Sequence, residues 1–324
     1  MSIKPIFIFS LPRSGSTLLQ RILVSHPEIE TISEPWFLIP SVYALRDSGV
    51  FAEYSAASLH KTMTHLISKL PNGKQDYYDG LRVFAETIYS RLNTKKAKYF
   101  LDKTPRYYLN IQEIEQIFPD AKFIFLFRNP LSTLSSLVDS FFGGNLGDYK
   151  HKIDIYKGPF MLADGYKALK DKSIAVHYEN ILDNPRETIM GICDYLSIGY
   201  SDSLVENFSE ISLTGFGDQF GSKKYSRLEK APVDKWKTVL GTKYRRNYAS
   251  KYIRYLGEET IEIFGYNMDE LLSDLNQLNT KSTGGLKDRY NLLVCHLMTL
   301  FEVPMFKKKL KNISRLKEKY YIHF

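Results

Sequence analysis

Five successive residues near the start of the chain, Arg13, Ser14, Gly15, Ser16 and Thr17, combine a fixed cation, three hydroxyls and a glycine. They sit in the stretch IFIFSLPRSGSTLL. The apolar run Ile6 to Phe9, bounded by Ser10 and Pro12, reads as a buried strand. Leu18, Leu19, Ile22 and Leu23 follow at helical spacing. A strand, a tight loop and a helix N-terminus aim several N–H groups at one point, and that point attracts a phosphate or similar oxyanion. Arg13 adds a fork of donors. Gly15 permits positive φ or close backbone approach, and the Ser16 and Thr17 hydroxyls can donate as well. An ordinary strand-to-helix turn with a serine cap has the same outline.

Further polar residues stand at expected strand ends. Glu34 lies between a short strand over Thr31–Ser33 and a helix opened by Pro35, carrying Trp36, Phe37, Ile39 and Leu45. That places Glu34 on the same sheet edge as Arg13, although a glutamate there is also favoured simply by the helix dipole. Lys103 follows a short strand, Lys98 to Leu101, in the turn Asp102-Lys103-Thr104-Pro105-Arg106; taken alone it reads as a solvated charge. Lys122 to Phe127, KFIFLF, is the clearest buried strand, with Asn129 as helix cap and Pro130 at the first helical position. Ser132 and Ser136 share a face of that helix. Arg128 and Ser136 could clamp one phosphate. Tyr178 follows a strand over Ser173–His177 and either borders a ligand or caps the core. His26 and His177 read as structural.

LPRSGSTLL resembles the 5′-phosphosulfate loop of sulfotransferases that use 3′-phosphoadenosine-5′-phosphosulfate (PAPS). Its Pro-Arg-Ser-Gly form is most similar to the tyrosylprotein and carbohydrate branches. The segment Leu11–Pro40 resembles the tyrosylprotein pattern in that loop, in its His-Pro turn and in a Glu after a short strand. In that family this Glu is the general base, so the resemblance implies Glu34, 21 residues after Arg13, in that role. Trp36 departs from the tyrosylprotein pattern, so the acceptor need not be a tyrosine. The turn after Leu101 resembles the one whose lysine contacts the sulfuryl group, implying Lys103. Arg128 and Ser136, eight apart after a strand, match the 3′-phosphate motif. Tyr178-Glu179-Asn180-Ile181-Leu182 resembles a Tyr-Glu-Asp-Leu segment whose Tyr lies near the cofactor. Thr214 to Ser222, with Lys223, Lys224, Arg227, Lys230 and Trp236 beyond, resembles the segment that closes over the nucleotide. The resemblance covers about Ile6 to Leu196, with weaker traces to Trp236.

Composition narrows the rest. The 324 residues suit one large α/β domain with an extension. The net charge is +8, but the last twenty residues alone carry +6, so a nucleic-acid surface across the body is not supported. Cys193 and Cys295 are the only cysteines and form no metal-binding pattern; no metal is expected, and a reducing cytoplasm suits them. A core strand begins almost at once, leaving no room for a signal peptide, and no apolar run is long enough to span a bilayer. Leu59, Met63, Leu66, Ile67 and Leu70 read as the packed face of a helical insertion over 52–93. Phe142 to Gly147 is a candidate lid. Residues 280–324 read as a basic amphipathic extension after a sulfotransferase domain over 1–279. Phe306, Leu310, Ile313 and Tyr320 share a helical face, which either packs on the body or a partner, or meets anionic lipid.

The expected fold is α/β: a P-loop-like, mainly parallel sheet flanked by helices, with ligands at strand carboxyl ends. The expected reaction is sulfuryl transfer from PAPS to a hydroxyl of a glycan or glycolipid, with Arg13, Lys103 and Glu34 as catalytic residues. Two rivals differ in class. A P-loop kinase or triphosphatase needs G-x-x-x-x-G-K-[ST], but position 10 is Ser and no lysine precedes the hydroxyl pair. A non-catalytic nucleotide- or glycan-binding relative would not need Arg13, Lys103 and Glu34 together.

Overall fold

The computed structural model describes residues 3–50, 52, 54–211, 213, 228, 231–279, 285–301, 303, 306 and 310. Five strands form one sheet: β1 (Lys4–Ser10), β2 (Ile29–Thr31), β3 (Tyr99–Asp102), β4 (Lys122–Phe127) and β5 (Ser173–His177). Their order is β2-β3-β1-β4-β5, and all four pairings are parallel. The connections carry helices: α1 (Ser16–Val24), α2 (Leu38–Tyr43), α3 (Ala56–Ile67), α4 (Lys74–Leu92), α5 (Ile111–Ile117), α6 (Pro130–Phe141), α7 (Lys152–Tyr156) and α8 (Gly158–Leu169). After β5 come α9 (Tyr178–Asp183), α10 (Pro185–Leu196), α11 (Ser203–Glu206), α12 (Ala231–Val239), α13 (Lys243–Ile263), α14 (Met268–Gln277) and α15 (Leu286–Leu300).

A parallel sheet is covered on both faces, so its strands read as continuous apolar runs. Side chains alternate between faces, and here the alternation sorts them by type. Phe7, Phe9, Phe100, Phe123, Phe125 and Phe127 fill one face against α4, α5 and α8. Ile6, Ile8, Leu101, Ile124, Leu126 and Val176 fill the other against α1, α9 and α10. The aromatic face stacks internally, with Phe9 and Phe123 centroids 5.8 Å apart. A third cluster joins α6 to α12, α13 and α14.

Several local expectations shift. β2 ends at Thr31 rather than covering 31–33, because Ile29, Glu30 and Thr31 pair with Tyr99, Phe100 and Leu101. Pro35 opens no helix; α2 starts at Leu38, since Trp36 takes a left-handed φ of +61° that no helix accepts. The apolar positions of α3 are only half covered: Ala56 is its one buried residue and Leu66 is exposed. Trp236 is buried inside α12 in the third cluster, as a core residue. The stretch 214–222 and Lys223, Lys224, Arg227 and Lys230 lie outside the described residues.

The last residue of β3 carries a buried charge problem. Asp102 is fully buried, and its Oδ2 accepts from the hydroxyls of Tyr89 (2.6 Å) and Tyr107 (2.9 Å). Burial outweighs these donors and the neighbouring Lys103, so the carboxyl is pushed up to about 7. An acid raised in the folded state binds more protons than its unfolded counterpart, so its contribution to stability is lost as pH rises towards 7. Asp102→Asn keeps an acceptor for both tyrosines and removes the charge. Between pH 5 and pH 8, wild type is expected to lose roughly 2 to 3 kcal/mol relative to Asp102→Asn. Denaturant unfolding of both proteins at the two pH values checks this; parallel profiles would contradict it.

Candidate active site

The carboxyl ends of all five strands face one region, and each delivers a residue that the sequence singled out. After β1 the chain reverses sharply: Arg13 has φ +71° and Gly15 has φ +91°. The Ser14 N–H closes the turn on the Leu11 carbonyl at 3.3 Å, and α1 begins at Ser16. Ser14, Ser16 and Thr17 are all buried. A Cβ at Gly15 would stand 2.2 Å from Cδ2 of Tyr178, so the fully buried Tyr178 ring requires glycine there.

β4 supplies the brace. Arg128 donates from Nη1 to the Arg13 carbonyl at 2.7 Å, and its guanidinium lies 4.2 Å over the Tyr178 ring. Asn129 caps α6 by accepting from the N–H groups of Leu131 (2.9 Å) and Ser132 (3.3 Å), as the sequence implied. The Asn129 N–H in turn donates to Glu179 of α9, which also accepts from the Tyr266 hydroxyl. One turn further along α6, Ser136 accepts from Arg13 Nε at 3.2 Å. Arg128 and Ser136 therefore both contact Arg13, one at its backbone carbonyl and the other at its guanidinium. The Arg13 guanidinium lies 5.6 Å over the Phe141 ring at the end of α6.

β2 and β3 supply an ion pair. Lys103 is buried, and its Nζ stands 2.9 Å from Glu34 Oε1 and 3.4 Å from the Thr17 hydroxyl. Only 12% of the Glu34 side chain is exposed. The second carboxylate oxygen accepts from the indole N–H of Trp36 at 3.3 Å. The Trp36 backbone N–H donates to Thr104 Oγ1 at 3.3 Å, which ties this loop to the one after β3. Lys103 is thus no solvated charge, and Glu34 is held from two sides.

Trp36, Thr104 and Phe141 are parts of this arrangement that residue types alone did not assign. Trp36 offered one signal, its departure from the tyrosylprotein pattern. Phe141 offered another, as an aromatic ending a helix just before Gly143-Gly144. A left-handed φ at a tryptophan costs of order 1 to 3 kcal/mol and persists only where the surroundings fix it. His26 and His177 bond to the backbone carbonyls of Gly199 and Phe264, far from this chemistry in role.

Arg13, Lys103 and Arg128 bring three cations to this sheet edge, with Glu34 paired to Lys103 and Glu179 held by the Asn129 N–H. The loop N–H groups, the Ser14–Thr17 hydroxyls and these cations form a donor-rich cradle suited to phosphate and sulfate oxygens.

A parallel sheet with a donor-rich loop between its central strand and the next helix is an α/β architecture that receives ligands at its strand carboxyl ends. Residues 5–202 match the sulfotransferase family, and the chain belongs to that family. It is 28% identical over 258 residues to nodulation protein NoeE of Sinorhizobium fredii, covering 72% of this chain and 60% of that protein. It is 22% identical over 215 residues to protein-tyrosine sulfotransferase 2 of Gallus gallus, covering 65% of this chain and 55% of that protein. The chain thus spans less than two thirds of these relatives. The fold is shared with the sulfotransferase domain from the curacin biosynthetic pathway, at TM-score 0.52 and 21% identity, covering 82% of this chain and 99% of that domain.

The contact between loop and ring is directly testable. Gly15→Ala is expected to cost roughly 2 to 4 kcal/mol, through positive φ and the clash with Tyr178. In a Tyr178→Ala background the same substitution should cost about 1 kcal/mol, the backbone component alone. A double-mutant cycle by chemical denaturation measures the difference; additive effects would show that the ring does not set the loop.

Proposed function

We propose that the chain transfers a sulfuryl group from PAPS to an acceptor hydroxyl, with Glu34 as general base. The observation that carries this reading is the Lys103–Glu34 ion pair, set beside Thr17 of the phosphate loop. In this reading the pair supplies a base and a buried cation beside the first turn of α1.

The residues fit the co-substrate by the chemistry of their donors. Arg13, Ser14, Gly15, Ser16 and Thr17 would hold the 5′-phosphosulfate, and Arg128 and Ser136 the 3′-phosphate. Tyr178 shapes the floor of the loop and steadies Arg128. When bound, PAPS supplies an activated sulfuryl group whose bond to the 5′-phosphate oxygen breaks as a bond to the acceptor oxygen forms. Arg13 and the loop N–H groups would offset the charge left on the phosphate. Glu34 would take the hydroxyl proton late in the transfer. Lys103 would orient the sulfuryl oxygens, exchanging part of its contact with Glu34 for them. Trp36 holds the second Glu34 oxygen, so the base stays aimed while Lys103 changes partner.

The acceptor in this reading is a glycan or glycolipid hydroxyl, supported by Trp36, an aromatic residue 39% exposed beside the proposed base. The setting is the cytoplasm, with peripheral membrane contact through residues 280–324. No described helix is long and apolar enough to cross a membrane.

Two measurements test the reading. By calorimetry, 3′-phosphoadenosine-5′-phosphate should bind roughly tenfold or more tighter than AMP, because Arg128 and Ser136 address the extra phosphate. Arg128→Ala should remove most of that preference; equal wild-type affinities would defeat the assignment. Glu34→Gln keeps shape but cannot take a proton. With [35S]PAPS and an acceptor found by screening glycans, glycolipids and tyrosine peptides, its kcat should fall by about 10² to 10⁴ with nucleotide affinity nearly unchanged. A kcat within a few-fold of wild type, where chemistry limits the rate, would remove Glu34 as base.

A further inference from the structure

Helix α15 has two faces of opposite character. Its inner face is fixed to the body. Asp288 is buried and accepts from Arg245 Nε (2.8 Å) and Nη2 (2.9 Å), and from the Leu146 N–H (2.7 Å). Arg245 Nη2 also donates to the Gly144 carbonyl at 2.6 Å. Further along the helix two residues lie near the same segment: Cys295 Sγ stands 3.5 Å from where a Gly147 Cβ would be, and Thr299 lines a cleft with Tyr149 and His151. That segment is the continuation of α6. His151 stacks on Phe141 at 4.3 Å, on the ring that Arg13 overlies.

The outer face is apolar and uncovered. Leu286, Tyr290, Leu293, Leu297, Leu300 and Phe301 recur at three- and four-residue steps, so they share one stripe. Each is between 42 and 82% exposed. Scattered exposed leucines need no explanation, but a contiguous stripe of this length marks an interaction surface. Its electrostatic surroundings identify what covers it. Lys287 and Arg289 are exposed on the same helix, and the following residues 305–324 carry a net +6 in sequence. A second copy would bring two cationic segments together. An anionic bilayer complements the charge and accepts the apolar stripe.

We propose that the outer face of α15 seats this protein on an anionic bilayer, and that the Asp288–Arg245–Gly144 contacts hold the mouth of the active site beside that surface. The acceptor hydroxyl is then one presented by a lipid-borne headgroup. This rests on the reading of peripheral membrane contact and adds the helix face that makes it and the link to the site. Amphipathic docking of this kind scales with both apolar burial and anionic charge.

The test uses the full chain with vesicles of phosphatidylcholine alone, or with 30% phosphatidylglycerol (roughly the anionic fraction that gives strong surface attraction). Wild type should sediment with the anionic vesicles and not with the neutral ones. Leu293→Glu/Leu297→Glu replaces two exposed side chains and should weaken that binding at least tenfold, with calorimetric affinity for 3′-phosphoadenosine-5′-phosphate kept. Vesicle binding by wild type should also slow hydrogen exchange across 142–151. If wild type ignores anionic vesicles, the membrane reading itself fails. If the double variant binds as wild type does, the tail alone makes the contact and the role of α15 is wrong. If wild type is a dimer that the double variant dissolves, the stripe is a self-interface and the proposal falls. Unchanged exchange across 142–151 overturns the link to the site.

Discussion

The structure turns on a single brace: the guanidinium of Arg128, at the end of β4, holds the carbonyl of Arg13 in the reversed loop after β1. Positive φ at Arg13 is unfavourable in isolation and must be held by its surroundings, whereas Gly15 takes it freely. Arg128 holds the carbonyl from one side, while Tyr178 fills the space that a side chain at Gly15 would need. Arg128 is itself placed by the Asn129 cap and by Glu179, so three strand ends converge on one loop. The reversed loop then presents the N-terminus of α1 and the hydroxyls of Ser16 and Thr17 together.

The cation that a triphosphate-cleaving loop carries within itself arrives here from a different strand. No lysine precedes the hydroxyl pair of this loop, yet Lys103 of the β3 turn reaches the Thr17 hydroxyl. Its partner is Glu34 rather than a metal-binding aspartate. A buried lysine that loses its carboxylate is strongly destabilised, so the pair keeps both groups in place before any anion enters. On the proposed reading, Lys103 changes partner during transfer while Glu34 stays fixed. The indole N–H of Trp36 supplies the second point of attachment that this exchange needs.

The sheet was legible wherever burial on both faces forces continuous apolar runs. β4 and β5 begin and end where KFIFLF and SIAVH do, and the Asn129–Pro130 cap was readable because it is local chemistry. β2 was misplaced by two residues, since a three-residue strand is set by its partner β3 and not by its own pattern. The helix expected at Pro35 failed for the same reason: the contact of Trp36 with Thr104 lies 68 residues away in sequence and overrides local preference. Lys103 and Glu34 were each ambiguous alone. Their burial and pairing exist only once β2 and β3 lie side by side. Trp236 was legible only by resemblance to a segment that closes over the nucleotide; its burial depends on α6 packing against α12.

On the proposed reading, five strand ends build one site for a nucleotide carrying both a 5′-phosphate and a 3′-phosphate. A crystal structure of the protein with 3′-phosphoadenosine-5′-phosphate tests it most directly. The 5′-phosphate is expected within hydrogen-bond reach of the loop N–H groups at the start of α1 and of Arg13. The 3′-phosphate is expected between Arg128 and Ser136, with Lys103 turned from Glu34 towards the 5′-phosphate. A nucleotide bound with its 5′-phosphate away from the 13–17 loop, or with Arg128 remote from both phosphates, would contradict it.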